Sequence, residues 1–151
     1  MAASILEASA HQAILARLEA LTPESKALWG TMNVNGMLCH TADQIRMALN
    51  QKQTKDISNP LSRTLMKRMV LGGMKIPKGK VKTAPELAQE DGGTQPTGFE
   101  EDRKVLVGLL TNFVESPIGK ATHPMFGVMT KAQWGKMIHS HLDHHLSQFG
   151  A

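Results

Sequence analysis

Histidines at positions 141 and 145 stand four residues apart near the end of the chain. On a helix that is about one turn, so both rings project to the same side. Trp134, Ile138, His141, His145 and Gln148 recur at steps of four, three, four and three. This is the stripe with which a helix faces a core. Its first half is apolar and its second half is polar. A buried imidazole without a partner costs on the order of 1–3 kcal/mol, so something must satisfy the pair. One divalent ion can do so, since zinc and similar metals take His nitrogen at about 2.0–2.1 Å and helical cores are recurrent sites for them. A third ligand should come from a facing helix, and His40, flanked on its side by Met37 and Gln44, is the candidate.

Three neutral imidazoles leave a coordination position open, the pattern of a reactive rather than a purely structural site. Zinc is the first expectation, with nickel, iron or manganese also compatible with imidazole. Such an ion can bring the pKa of bound water to about 7 for hydrolysis, or hold a thiolate as nucleophile. Asp43, one turn after His40, is a candidate to orient a ligand ring. Gln148 follows the pair by one turn, and His144 lies on its flank. His123, before Pro124, is read as a loop anchor or a substrate contact. His139 points away from His141, and His11 has no partner visible in the sequence. Cys39 is turned about 100° from His40 and reads as a buried, inert thiol.

Four helical segments must position these groups. The first covers residues 4–21, with Leu6, Ala10, Ile14, Leu18 and Leu21 in period. Thr22-Pro23-Glu24 has the form of a cap and first turn, which predicts a short extra helix towards Trp29. Asn33 caps a second helix reaching residue 50, and the third spans residues 99–115. Thr130 and Gln133 form a capping-box pattern opening the fourth, which ends at Gly150. Residues 61–71 can form a further helix. Residues 72–98, rich in Gly, Pro and Lys, read as a long loop able to cover a site.

At this point the residues resemble a family. The segment 29–49, with Met-Leu-Cys-His-Thr-Ala-Asp inside it, resembles the second helix of DinB-like proteins, where a histidine follows a Trp-initiated start. His-Leu-Asp-His-His-Leu-Ser-Gln, 141–148, resembles the His-x-x-x-His-x-x-Gln signature of their last helix. His-Pro-Met-Phe-Gly-Val-Met-Thr, 123–130, followed by Trp134, is similar to the loop entering that helix in a subgroup of uncharacterised DinB-related bacterial proteins. The resemblance implies an all-α, metal-binding four-helix bundle whose triad falls on His40, His141 and His145. It also implies metal-dependent transferase or isomerase chemistry with a low-molecular-weight thiol, or a hydrolase. A non-catalytic, stress-related metal- or ligand-binding protein is the first alternative. A metal-free helical dimer whose histidines satisfy one another is the second.

Bulk properties agree with one soluble domain over residues 1–151. Hydrophobic residues make up 41% and charged residues 20%; Tyr is absent and Met occurs ten times. A core of Leu, Met, Ala, Val and Ile suits packed helices better than a sheet sandwich. The net charge of +4 permits an acidic small molecule but is too weak to indicate nucleic acid. The basic run Arg63, Lys67, Arg68, Lys75, Lys78, Lys80 and Lys82 reads as a solvated loop or as an anion-binding rim, and has no aromatic residue for base stacking. The single cysteine fits a reducing compartment. With no secretion signal or membrane span expected, a cytoplasmic location follows. His-Glu-x-x-His, phosphate-loop and nucleophile-elbow motifs are missing. The expected partners are a small-molecule substrate or thiol, with a second copy of the chain as a further candidate.

Overall fold

The computed structural model describes residues 2–79, 85–88 and 91–151. Lys80 and Lys82 of the basic run lie outside the described residues. Helix α1 (Ala8–Ala20) is followed by α2 (Val34–Ala48), by a π-helical turn (Ser62–Met66) running into α3 (Lys67–Leu71), and by a 3₁₀ turn (Pro85–Leu87). Then come α4 (Phe99–Glu115), a hairpin of β1 (Lys120–His123) and β2 (Gly127–Thr130), and α5 (Lys131–Gln148). The chain is thus mostly helical, with a small two-stranded antiparallel sheet that the periodicity does not predict. Among the described residues, no helix is long and apolar enough to cross a membrane.

One apolar cluster joins Ile14 and Leu18 of α1, Met37, Leu38 and Ile45 of α2, Leu106, Leu110 and Phe113 of α4, and Trp134, Ile138, Leu142 and Leu146 of α5. Each such side chain, withdrawn from water, stabilises the fold by about 1.5–3 kcal/mol. The predicted caps form. Asn33 Oδ1 accepts from the Gly36 N–H at 2.7 Å, and both arms of the Thr130–Gln133 box are made. Helix α4 starts on Gly98, which offers no side chain, so Asp102 reaches back to accept from the Thr97 and Gly98 amides. Arg103 donates to the Leu21 carbonyl at 3.1 Å beyond the end of α1, and Arg17 meets Asp143 at 2.7 Å, tying α1 to α5.

Two local expectations fail for identifiable reasons. Residues 4–7 do not extend α1: the Glu7 amide closes a separate turn on the Ser4 carbonyl at 2.9 Å, and the Ile5 amide donates to the Gly135 carbonyl at 3.0 Å, which holds the segment on α5. Nor do residues 23–29 form a helix. Thr22 and Ser25 close a turn on each other, and the Leu28 amide donates to the Gln148 carbonyl at 2.7 Å. The segment 61–71 is helical as expected, yet Leu61, Leu65 and Met69 remain exposed along it.

The hairpin pairs Lys120 with Thr130 and His123 with Gly127. Ala121 and His123 turn inward on β1, where the Ala121 carbonyl accepts the Trp134 indole N–H at 2.9 Å. Lys131 donates to the Val114 and Ser116 carbonyls at the end of α4. These bonds set the starting point of α5, and with it the height of His141 and His145.

The close crossing of the N-terminal segment over α5 depends on Gly135. A Cβ there would lie 2.6 Å from Ser4 Oγ and 2.9 Å from Leu6 Cγ. Gly135→Ala is therefore expected to lower unfolding stability by about 1–3 kcal/mol in a urea titration. An unchanged midpoint would show that the crossing is looser than described.

Candidate metal centre

His40 is held on α2, and His141 and His145 on α5, in the part of each helix that faces the other. Their rings form a triangle with centroids 4.7 Å (His40–His141), 4.9 Å (His40–His145) and 4.6 Å (His141–His145) apart. One ligating nitrogen from each lies within 4.8 Å of the others. A tetrahedral ion with bonds of 2.0–2.1 Å would space its nitrogens about 3.3–3.4 Å apart. His40 Nε2 and His141 Nε2 stand at 2.9 Å, so a small rotation of the rings admits an ion. The donor set fits a divalent metal.

The remaining ring nitrogens decide which atoms are free to bind. His40 Nδ1 lies 3.1 Å from the Leu87 carbonyl, which can only accept, so Nδ1 carries the hydrogen and Nε2 the lone pair. His145 Nδ1 lies 2.8 Å from Gln148 Oε1. The Gln148 amide nitrogen in turn donates to the Trp29 carbonyl at 2.9 Å, which assigns the amide orientation and leaves His145 Nε2 as the ligand atom. Orientation of ligand imidazoles by carbonyl acceptors is the arrangement that metal sites use. His141 differs. Its residue is half-buried, yet Nδ1 is shut off from solvent with no hydrogen-bond partner. Gln44, one turn beyond His40, likewise has a buried Oε1 without a partner.

All three imidazoles are held neutral, the form that binds metal. Burial pushes the pKa of His40 down, with the Leu87 carbonyl and Asp43 opposing in part. Burial and then the neighbouring His145 and His40 push His141 well down. Burial and then His40 bring His145 to about 3.

Asp43 does not orient a ring. It is fully buried, with one oxygen accepting from Arg46 at 2.8 Å and Thr94 Oγ1 at 2.7 Å. The other accepts from Lys52 at 3.0 Å and the Thr94 amide at 2.8 Å. Burial alone would raise its pKa, but the bonds from Thr94, Lys52 and Arg46 outweigh this and hold it low. Lys52 also donates to the Gly92 carbonyl, and Glu86 accepts the Lys55 amide. Asp43 thus ties the chain after Leu87 to α2, while Glu86 ties the turn that carries the Leu87 carbonyl to Lys55.

The other predicted residues divide. Gln148 bridges His145 to Trp29, as above. The His144 ring lies edge-on to His145, centroids 5.1 Å apart, and to Trp29 at 5.8 Å. His123 stays apart from the triad and anchors the hairpin: its Nδ1 accepts from the Met125 amide at 3.1 Å, and its ring stacks on Phe126 at 4.7 Å. Burial, then Lys67, lowers its pKa to about 4. Cys39 is buried, and burial followed by the charges of Asp102 and Asp43 raises its thiol to about 11, so it is inert. Of the basic run, Arg63 pairs with Asp56 and Lys67 donates to the Val128 carbonyl.

Leu87, Gly30 and Thr94 were not singled out by sequence, and Trp29 figured there only as the start of the segment leading into α2. Leu87 and Trp29 act through backbone carbonyls, which every residue carries. Gly30 does leave a trace after Trp29: it adopts a φ of +77°, and a Cβ there would sit 3.0 Å from Gln148 Nε2.

Two measurements test this arrangement. Asp43→Asn removes a buried charge facing two cations and is expected to cost about 3 kcal/mol of unfolding stability; a loss below 1 kcal/mol would show that the staple carries little. His123 stays neutral in the fold down to about pH 4 but takes a proton near 6.5 when unfolded. Its share of stability is therefore intact above pH 6.5 and is lost as pH falls towards 4, on the order of 2–3 kcal/mol in all. The stability gap between the wild type and His123→Gln should narrow by that amount between pH 7 and 4. A gap independent of pH would contradict the assignment.

No curated protein and no solved structure matches the chain. A family model described as a protein of unknown function, DUF1569, matches residues 2–151. Since that match spans all but the first residue, the chain belongs to the DUF1569 family.

Proposed function

We propose that the chain is a DinB-like four-helix bundle that binds one divalent metal ion through His40, His141 and His145 and uses it on a small molecule. The observation that carries this reading is the convergence of three neutral imidazoles. Two of them have Nδ1 committed to carbonyl acceptors, which leaves their Nε2 lone pairs for a shared ion. Among themselves these imidazoles pair through the His40–His141 contact, which leaves His145 Nε2 out, whereas an ion would join all three.

Zinc is the first choice of metal, with nickel, iron or manganese next. When bound it supplies Lewis acidity, favouring the ionised form of a nucleophile at neutral pH. The chain's own contribution is to keep the imidazoles unprotonated by burial and to fix two ring planes through Leu87 and Gln148. No fourth protein ligand joins the triad among the described residues. That suits thiol transfer or hydrolysis with a low-molecular-weight thiol or water as nucleophile. A stress-related binding protein without turnover would use the same site. The 2.9 Å contact between His40 and His141 is also what a metal-free pair would make, with one ring donating to the other. This favours metal-free pairing as the second reading.

Elemental analysis of protein purified without a histidine tag is expected to find one ion per chain. Zinc held a hundredfold above its dissociation constant should add about 2.7 kcal/mol of stability. His145→Ala should lose both effects. Stoichiometric metal at unchanged affinity in that variant would rule out the triad, and wild type that binds no divalent ion would favour the histidine pair. In a screen of small thiols, at least one should bind only to the metal-loaded protein. An empty screen removes the transferase version and leaves hydrolysis.

A further inference from the structure

A second concave site lies beside the triad. A cleft of about 620 Å³ opens between α5 and the chain that follows α3, within the usual range of roughly 300–1,000 Å³ for small-molecule sites. Leu28, Trp29 and Ile76 give it apolar surface, and His139, Ser140 and His144 line it from α5. The three metal-site histidines do not line it. His144 is the shared wall, in edge contact with His145 on one side and with Trp29 on the other.

The charge of the cleft is one-sided. Lys75 and Lys78 both line it, and Lys78 Nζ stands 4.3 Å from the centroid of the Trp29 ring. Asp143 is the one acid among the described lining residues, and its carboxylate is already engaged by Arg17 at 2.7 Å. Two lysines therefore line a partly apolar cleft whose one carboxylate among the described lining residues is paired with Arg17. A cation over an aromatic face gains about 0.5–1 kcal/mol at an exposed site, and it keeps its N–H donors for an anion.

We propose that this cleft binds a small carboxylate with an apolar body, the acid group meeting Lys78 and Lys75 and the body lying on Trp29. Binding itself does not need the metal. That the occupant is the substrate rests on the metal reading above, and the connection is structural. The Trp29 carbonyl accepts from Gln148, and Gln148 Oε1 holds His145. A molecule that shifts Trp29 therefore acts on the residue that orients a triad ring.

The probe is octanoate, followed by ¹⁹F NMR of the full chain labelled with fluorotryptophan. The chain has two tryptophans, and Trp134 is buried against Ala121, so it serves as internal reference. Octanoate is expected to shift the Trp29 signal saturably and leave Trp134 in place. Lys78→Glu should weaken binding about two- to fivefold, roughly the worth of one partly exposed ion pair. Octylamine, with the opposite charge, should give no saturable shift. A Trp29 signal indifferent to octanoate would overturn the proposal. So would an equal response to octylamine, or unchanged octanoate affinity in Lys78→Glu. The titration is run on protein treated with a chelator and again with zinc. Octanoate binding without metal binding sinks the metal reading alone, and the reverse outcome sinks the cleft alone.

Discussion

Placing three imidazoles between two packed helices imposes a condition on everything around them. Each ring carries two nitrogens, and a nitrogen withdrawn from water must find a partner or cost the fold about 1–3 kcal/mol. His40 and His145 meet the condition on their outer nitrogens through the Leu87 carbonyl and the Gln148 amide oxygen. Across the triangle His40 Nε2 meets His141 Nε2 at 2.9 Å, while the other nitrogen of His141, Nδ1, is shut off from solvent without a partner and leaves the condition unmet. The helices supply the direction of the rings, while parts of the chain outside the helices supply the acceptors.

Those parts are themselves anchored with unusual thoroughness. The segment carrying Leu87 is stapled by a fully buried Asp43 to Thr94 and Lys52, with Lys52 extending the hold to the Gly92 carbonyl. Trp29 is placed by the Leu28 amide on the end of α5 and by a left-handed Gly30 that makes room for Gln148. The hairpin fixes the opposite end of α5 through Ala121 and Trp134. A site built on rigid helices thus gains its fine orientation from loops that are bonded back to those same helices.

Much of this was legible in the order of residues. Caps at Asn33 and Thr130, and the span of α4, follow from local chemistry and were read correctly, because capping and period depend on neighbours within one turn. The interruption of an apolar stripe by His141 and His145 was equally visible, and the two rings do stand together. The hairpin was not visible. Its strands are four residues each, too short for alternation to stand out from a loop containing Pro124. The expected helix after Thr22 failed although its capping signal was sound, because no apolar period follows to hold it and the Leu28 amide is claimed by α5.

By itself the sequence determined the long helices, the caps at Asn33 and Thr130 and the pairing of His141 with His145. Each of these rests on spacing within a few residues, where helix geometry converts position directly into direction. Only the tertiary structure decided that His40 completes the triangle, that Leu87 and Gln148 orient its rings and that Asp43 serves a loop instead of a ligand. It alone placed Lys78 over Trp29 beside His144. The contacts of His40 with His141 and Leu87, of Gln148 with Trp29, of Asp43 with Thr94 and of Lys78 with Trp29 join residues from 47 to 119 positions apart. Their partners are in several cases backbone carbonyls, which no side-chain pattern distinguishes, so the packing of the chain had to choose among them.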